Sequence, residues 1–149
     1  MSLIDIPPTL LDSAGLNIPE QMQGRSILPL TRGDTDNWPD DVFVQISESQ
    51  VGRAVRTRRW KYGVTTSDKH GANDPGSDHC VEEYLYDLDA DPYELNNLVG
   101  RCRLDEVTSA MRKRLVSRMV DAGESAPTIE PVPTPSKSQW SISPEEAME

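Results

Sequence analysis

Oxygen donors crowd two stretches of this 149-residue chain and raise the first chemical question. Asp34, Asp36, Asp40 and Asp41 lie close together, and a calcium ion takes several such hard ligands at once. No glycine-punctuated spacing organises them, so they read as a solvated acidic loop. Asp68, Asn73, Asp74 and Asp78 read the same way. His70 and His79 stand near acids, as a serine, histidine and acid set requires, but both lie in one polar stretch with no nucleophile elbow beside them. The expectation is two solvated histidines. Arg53, Arg56, Arg58, Arg59 and Lys61 form the basic cluster. Strand alternation divides Arg56 and Arg58 from Arg53 and Arg59, giving two edges rather than one patch, matched to the abundant acids. Cys80 and Cys102 are too few for a disulfide framework and fit no zinc spacing, which leaves two buried or idle thiols.

The elements that must carry these groups follow from periodicity. Val42, Val44 and Ile46 alternate against Phe43 and Gln45, predicting a strand over 42–46. Residues 53–58 and 60–64 predict two more, joined by a hairpin around Arg58-Arg59, a pair that leaves the turn geometry open. Tyr84, Tyr86 and Leu88 share one face of a fourth strand over 84–88. Short connections make this sheet antiparallel. Asp91, Pro92 and Glu94 have the order of an N-cap, a first helical position and a capping-box acid, so one helical turn is expected there. Leu104, Val107, Met111, Leu115 and Met119 recur at three and four, predicting an amphipathic helix over 103–122 that Gly123 ends. A short helix over 5–14 begins at Asp5 with Pro7-Pro8 in its first turn and stops at Gly15, and residues 26–30 read as an extended, tucked segment. The expected fold is α+β: a four-stranded antiparallel sheet packed by the C-terminal helix, preceded by a short helix and followed by a disordered Pro-rich acidic tail over 124–149.

Two ordered sets of residues resemble one known family. Leu85-Tyr86-Asp87-Leu88, Asp91-Pro92, Glu94 and Asn97-Leu98 resemble the C-terminal signature of sulfatases, within the alkaline-phosphatase superfamily. Asp5-Ile6-Pro7-Pro8-Thr9-Leu10-Leu11-Asp12, Ala14-Gly15, Pro19 and Gly24-Arg25-Ser26 resemble the segment that leads out of the sulfatase catalytic domain. The resemblance runs from about residue 3 to 123. It implies three parts: an exit helix and connector over 1–33, a C-terminal α+β subdomain over 34–123, and the tail over 124–149. It also implies that the catalytic domain is the absent partner. Sulfatases make their nucleophile by oxidising the first residue of a Cys/Ser-X-Pro-X-Arg motif. Cys80 is followed by Val81-Glu82 and Cys102 by Arg103-Leu104, while Ser125-Ala126-Pro127-Thr128-Ile129 lacks the arginine. Calcium and formylglycine are therefore implied for the missing domain, with no cofactor and no catalytic residue in this chain, which is expected to be inactive alone.

What this piece brings to function is expected in its loops. The 47–52 connection with Arg53 and the loop around Lys69-His70 join strands at short range and carry polar groups. Glu48, Gln50, Arg53 and His70 are the candidates to line the rim of a substrate pocket, against the alternative of ordinary solvated loops. The 65–83 stretch exceeds the about 12 to 15 residues usual for a structureless loop, so it is either functional or disordered.

Composition bounds the partners. A net charge of −10 argues against nucleic acid. No apolar run approaches the roughly 20 residues that cross a bilayer, the first residues lack a signal-peptide pattern, and the compartment stays unassigned. The rival reading is a free-standing α+β binding module without catalysis. A module should cover or polarise its surfaces, whereas a fragment leaves apolar surface where its partner was. Exposed Leu10 and Leu11 would then drive self-association or leave this segment loose.

Overall fold

The computed structural model describes residues 1–36 and 38–133. They fall into two compact units, Met1–Val42 and Phe43–Glu149.

In the first unit a single 3-10 turn, Leu3–Asp5, leads into helix α1, Ile6–Ser13. Pro7 and Pro8 occupy its first turn, where their missing N–H groups cost nothing. Asp5 does not cap α1 through its side chain. Its buried carboxylate instead accepts the Ser2 N–H at 2.6 Å and the Arg25 N–H at 3.1 Å. Thr9 Oγ1 donates to the Asp5 carbonyl and accepts the Ile27 N–H at 3.1 Å. A Cβ at Gly24 would lie 1.9 Å from the Ile4 carbonyl oxygen, so only glycine permits this approach. Asp5, Thr9 and Gly24 thus lock the returning strand of chain onto α1. The segment expected to be extended holds a one-turn helix instead, α2 at Leu28–Thr31, with Pro29 in its first turn and Thr31 Oγ1 donating to the Leu28 carbonyl.

The second unit is an α+β layer pair. Strands β1 (Asp41–Ile46), β2 (Val51–Thr57), β3 (Trp60–Thr66), β4 (His79–Asp87) and β5 (Thr128–Glu130) form one sheet in the order β1-β2-β3-β4-β5. β2, β3 and β4 are antiparallel neighbours, with Val55 opposite Tyr62 and Tyr62 opposite Leu85. The expected four-stranded antiparallel sheet is corrected in two respects. A fifth strand is present, and it runs parallel to β4, pairing His79 with Thr128 and Cys80 with Ile129. The reason is topological: helix α3, Asp105–Asp121, is itself the crossover that a parallel pair requires. β5 comes from the stretch assigned to a disordered tail; residues 134–149 of that tail lie outside the described residues.

Other expectations shift by smaller amounts. The hairpin at Arg58-Arg59 forms with no left-handed residue in its turn. Thr57 Oγ1 accepts the Trp60 N–H at 2.9 Å and so closes the ladder with a side chain. No helical turn follows Asp91. The Asp91 carboxylate accepts the Asn96 N–H at 2.7 Å, and Glu94, at φ 57°, sends its carboxylate to Lys61 Nζ at 2.5 Å. β4 begins five residues earlier than its predicted start at Tyr84, which shortens the long loop to 67–78.

One face of the sheet meets α3. Val55, Tyr62, Val64, Cys80, Leu85 and Val99 pack with Met111, Leu115 and Met119, and Phe43, Trp60 and Ile129 border them. Full burial of a side chain such as Leu115 stabilises by about 1.5–3 kcal/mol. On the opposite face Tyr84 stacks on Tyr86, ring centres 5.6 Å apart, with Lys61 Nζ above both rings. Gly63 makes room for that stack, since a Cβ there would lie 2.3 Å from Tyr84 Cζ.

Candidate functional site: two loops and a buried arginine

The β1–β2 connection and the 67–78 loop come together through backbone. A Cβ at buried Gly71 would lie 2.7 Å from the Glu48 carbonyl oxygen and 2.9 Å from the Gln50 nitrogen. The loops touch there because residue 71 has no side chain. Glu48 is exposed, Gln50 half-buried and His70 exposed beside Gly71. His70 Nδ1 accepts the Ala72 N–H at 3.3 Å, which in the neutral ring leaves the proton on Nε2. The Asp74 carboxylate accepts the His70 N–H at 2.9 Å, and the Asn73 and Asp74 N–H groups both donate to the His70 carbonyl. This part of the loop is a tight, self-bonded turn.

Arg53 sits differently from the other three candidates: its side chain is 4% exposed. Nε donates to both oxygens of Glu124, at 2.8 and 3.0 Å. Nη1 donates to the carbonyls of Ile46 at 3.1 Å and Gly52 at 2.7 Å, and Nη2 to the Pro75 carbonyl at 2.6 Å. One guanidinium therefore joins the end of β1, the start of β2, the long loop and the chain beyond α3. It lines a cleft of about 630 Å³ together with Lys69, Gly76, His79, Glu124 and Ser125. At the cleft's edge His79 Nε2 lies 3.1 Å from Glu130, and Ser125 donates to Asp78.

Glu124 is the residue that sequence reasoning missed. Its position follows from the helix end. Gly123, at φ 89°, lets the Glu124 N–H reach the Met119 carbonyl at 2.9 Å while its own N–H reaches Val120 at 2.9 Å. That is a Schellman ending, and it aims the next side chain back across the end of the sheet. The available signal was a charged residue directly after the glycine that stops α3.

A second polar group lies inside the core. Glu82 is buried, accepts the Tyr62 hydroxyl at 3.0 Å and pairs with Arg112 at 2.5 Å. Burial pushes the Tyr62 phenol up, and the Glu82 hydrogen bond raises the Arg112 guanidinium. Burial also raises the Cys80 thiol. Both cysteines are free, Cys80 buried and Cys102 exposed.

Glu48, Gln50 and His70 present hydrogen-bonding groups at the junction of two loops. Among the described residues no group of three or more His, Cys, Asp or Glu is placed to hold a metal ion. Neither Cys80 nor Cys102 opens a Cys-X-Pro-X-Arg run.

Residues 1–121 match the family described as N-sulphoglucosamine sulphohydrolase, C-terminal. Arylsulfatase K of Bos taurus is 33% identical over 127 residues, covering 78% of this chain and 21% of its own length. An N-acetylglucosamine-6-O-sulfatase of Bacteroides thetaiotaomicron is 32% identical over 105 residues, covering 66% of this chain and 17% of its own. The chain thus spans about a fifth of the length of these relatives. A protein solved in complex with its substrate D-glucosamine-2-N,6-O-disulfate shares the fold, with a TM-score of 0.67 at 22% identity over 80% of this chain and 24% of its own. This chain belongs to the N-sulphoglucosamine sulphohydrolase C-terminal family, and its α+β fold is that of a sulfatase C-terminal region.

Proposed function

We propose that this chain is the subdomain that braces a sulfatase catalytic domain and borders its substrate pocket, and that it is inactive alone. Residues 1–33 act as the exit helix and connector, and the sheet and α3 as the brace. The loops joined at Gly71 form the rim, with Glu48, Gln50 and His70 at its surface and Arg53 beneath. The catalytic domain supplies calcium and the formylglycine, which together deliver the nucleophile to the sulfate ester. This chain's part is to bind the organic portion of the substrate, where differences in binding energy become specificity. The names of the relatives support a sulfated saccharide as that substrate class.

The observation that carries the reading is the convergence at Gly71 of two loops far apart in sequence, each bearing candidate residues. Surface chemistry favours it over a free-standing binding module, because Leu3, Ile6 and Leu10 are exposed in the first unit. Purified alone, the chain is expected to hydrolyse no aryl sulfate above a boiled control; chelator-sensitive turnover would contradict this. In the sulfatase that contains this region, Glu48→Ala, Gln50→Ala and His70→Ala should each shift the ranking of substrates by about 1–3 kcal/mol in kcat/KM. Calcium and formylglycine content should be unchanged. If all three variants slow every substrate equally, the rim assignment fails.

A further inference from the structure

Glu124 lies outside the family match, which ends at residue 121, yet it holds the group that ties both rim loops together. The chain of contacts is continuous. Helix α3 is fixed on the sheet by Met111, Leu115 and Met119. Its Schellman ending fixes the Glu124 backbone. The Glu124 carboxylate accepts from Arg53 Nε through both oxygens and also takes the Gln45 side-chain amide. With Nε held, Nη1 is turned to the Ile46 carbonyl at the base of the 47–50 turn, and Nη2 to the Pro75 carbonyl in the 67–78 loop.

We propose that Glu124 is a positioning residue for the substrate rim: through the Arg53 guanidinium it sets the base of one rim loop and the far side of the other. The assignment rests on the rim reading above. A carboxylate is required because a buried guanidinium left without an opposite charge is strongly disfavoured. In its absence Arg53 turns toward water and releases both carbonyls. The Gly71 contact joins the loops to each other, whereas the Arg53–Glu124 pair joins them to the helix and sheet. Losing it should free the loops as a pair while the core stays intact.

The test uses Glu124→Gln and, as the charge-preserving variant that guards against a misfolded protein, Glu124→Asp. In the isolated chain, Glu124→Gln should speed amide exchange at His70, Ala72, Asn73 and Asp74 about tenfold or more. The Met111 and Leu115 amides should keep their protection, and Glu124→Asp should recover part of the loss. Unchanged exchange in the loop overturns the proposal. So does a loss spread evenly over α3 and the sheet, which would mark Glu124 as a fold-stability residue alone. In the sulfatase containing this region, Glu124→Gln should raise KM with kcat retained and reorder substrates as His70→Ala does. If His70→Ala reorders them and Glu124→Gln does not, the positioning role is wrong. If neither does, the rim reading falls and takes the positioning role with it.

Discussion

Glu83 is the residue at which the β3–β4 ladder slips. Gly63 pairs with Tyr84 and the next residue, Val64, with Glu82, so Glu83 is the extra residue of a bulge. Asn97 repairs the ladder: Oδ1 accepts the Leu85 and Val99 N–H groups at 3.0 and 3.1 Å, and Nδ2 donates to the Glu83 carbonyl at 2.9 Å. The Glu83 side chain gets no such help. Its Oε2 is buried with no hydrogen-bond partner among the described residues, and burial holds its carboxyl above the usual range. The folded state therefore binds the proton more tightly than the unfolded chain, whose value is about 4.3. Stability falls as pH rises from there through the raised folded value, which is the reverse of the behaviour of Asp87, whose carboxyl Arg59 holds low. Glu83→Gln should raise stability by about 1 kcal/mol at pH 7 and leave it unchanged near pH 4. Urea midpoints at the two pH values check this, and equal shifts at both would refute it. The signature residues Asp87, Glu94 and Asn97 were visible in the sequence as a pattern. Their partners Arg59, Lys61 and the bulged strand were not, because each lies across a strand pair that local spacing does not reveal.

Strand β1 and helix α3 were legible because each shows its own period, and β2 and β3 as a pair around the Arg58-Arg59 turn. The early half of β4 was not. Glu82 reads as a solvent residue, and only Arg112 on α3 and Tyr62 on β3 make its burial possible. The loop was accordingly drawn too long, and the candidate residues could be named but not brought together, since Gly71 carries no chemistry of its own. β5 was hidden for a related reason: three residues in a Pro-rich stretch have no period, and pairing with β4 alone makes them a strand. Its contribution is measurable at the level of the element. A chain ending at Gly123 loses the β5 pairing, the Ile129 packing and the carboxylate of Arg53. Compared with residues 1–133 it should be less stable by about 3–5 kcal/mol in urea unfolding. That is a large share of the roughly 5–15 kcal/mol typical of a domain. Equal midpoints for the two chains would show that β5 adds nothing.

At the scale of the whole molecule the apolar surface is unevenly shared. Leu3, Ile6 and Leu10 recur at three and four along the first helical segment and are 82%, 45% and 64% exposed. No helix among the described residues is long and apolar enough to cross a membrane. The purified chain should self-associate through this stripe, and Leu3→Ser with Leu10→Glu should return it to monomer. Sedimentation velocity over a hundredfold concentration range decides, and a monomer throughout would refute the stripe as an association surface. Among the described residues, the strand that completes the sheet is also the last one made. As the protein emerges from the ribosome, β2, β3 and the 67–78 loop leave before the segment beyond α3, and Arg53 waits for the carboxylate at residue 124. Until the segment beyond α3 is released, the Arg53 guanidinium of a nascent chain lacks that carboxylate and stays turned toward water. Closure of this subdomain is a late event of vectorial synthesis, and a stall before residue 124 leaves an open, aggregation-exposed intermediate.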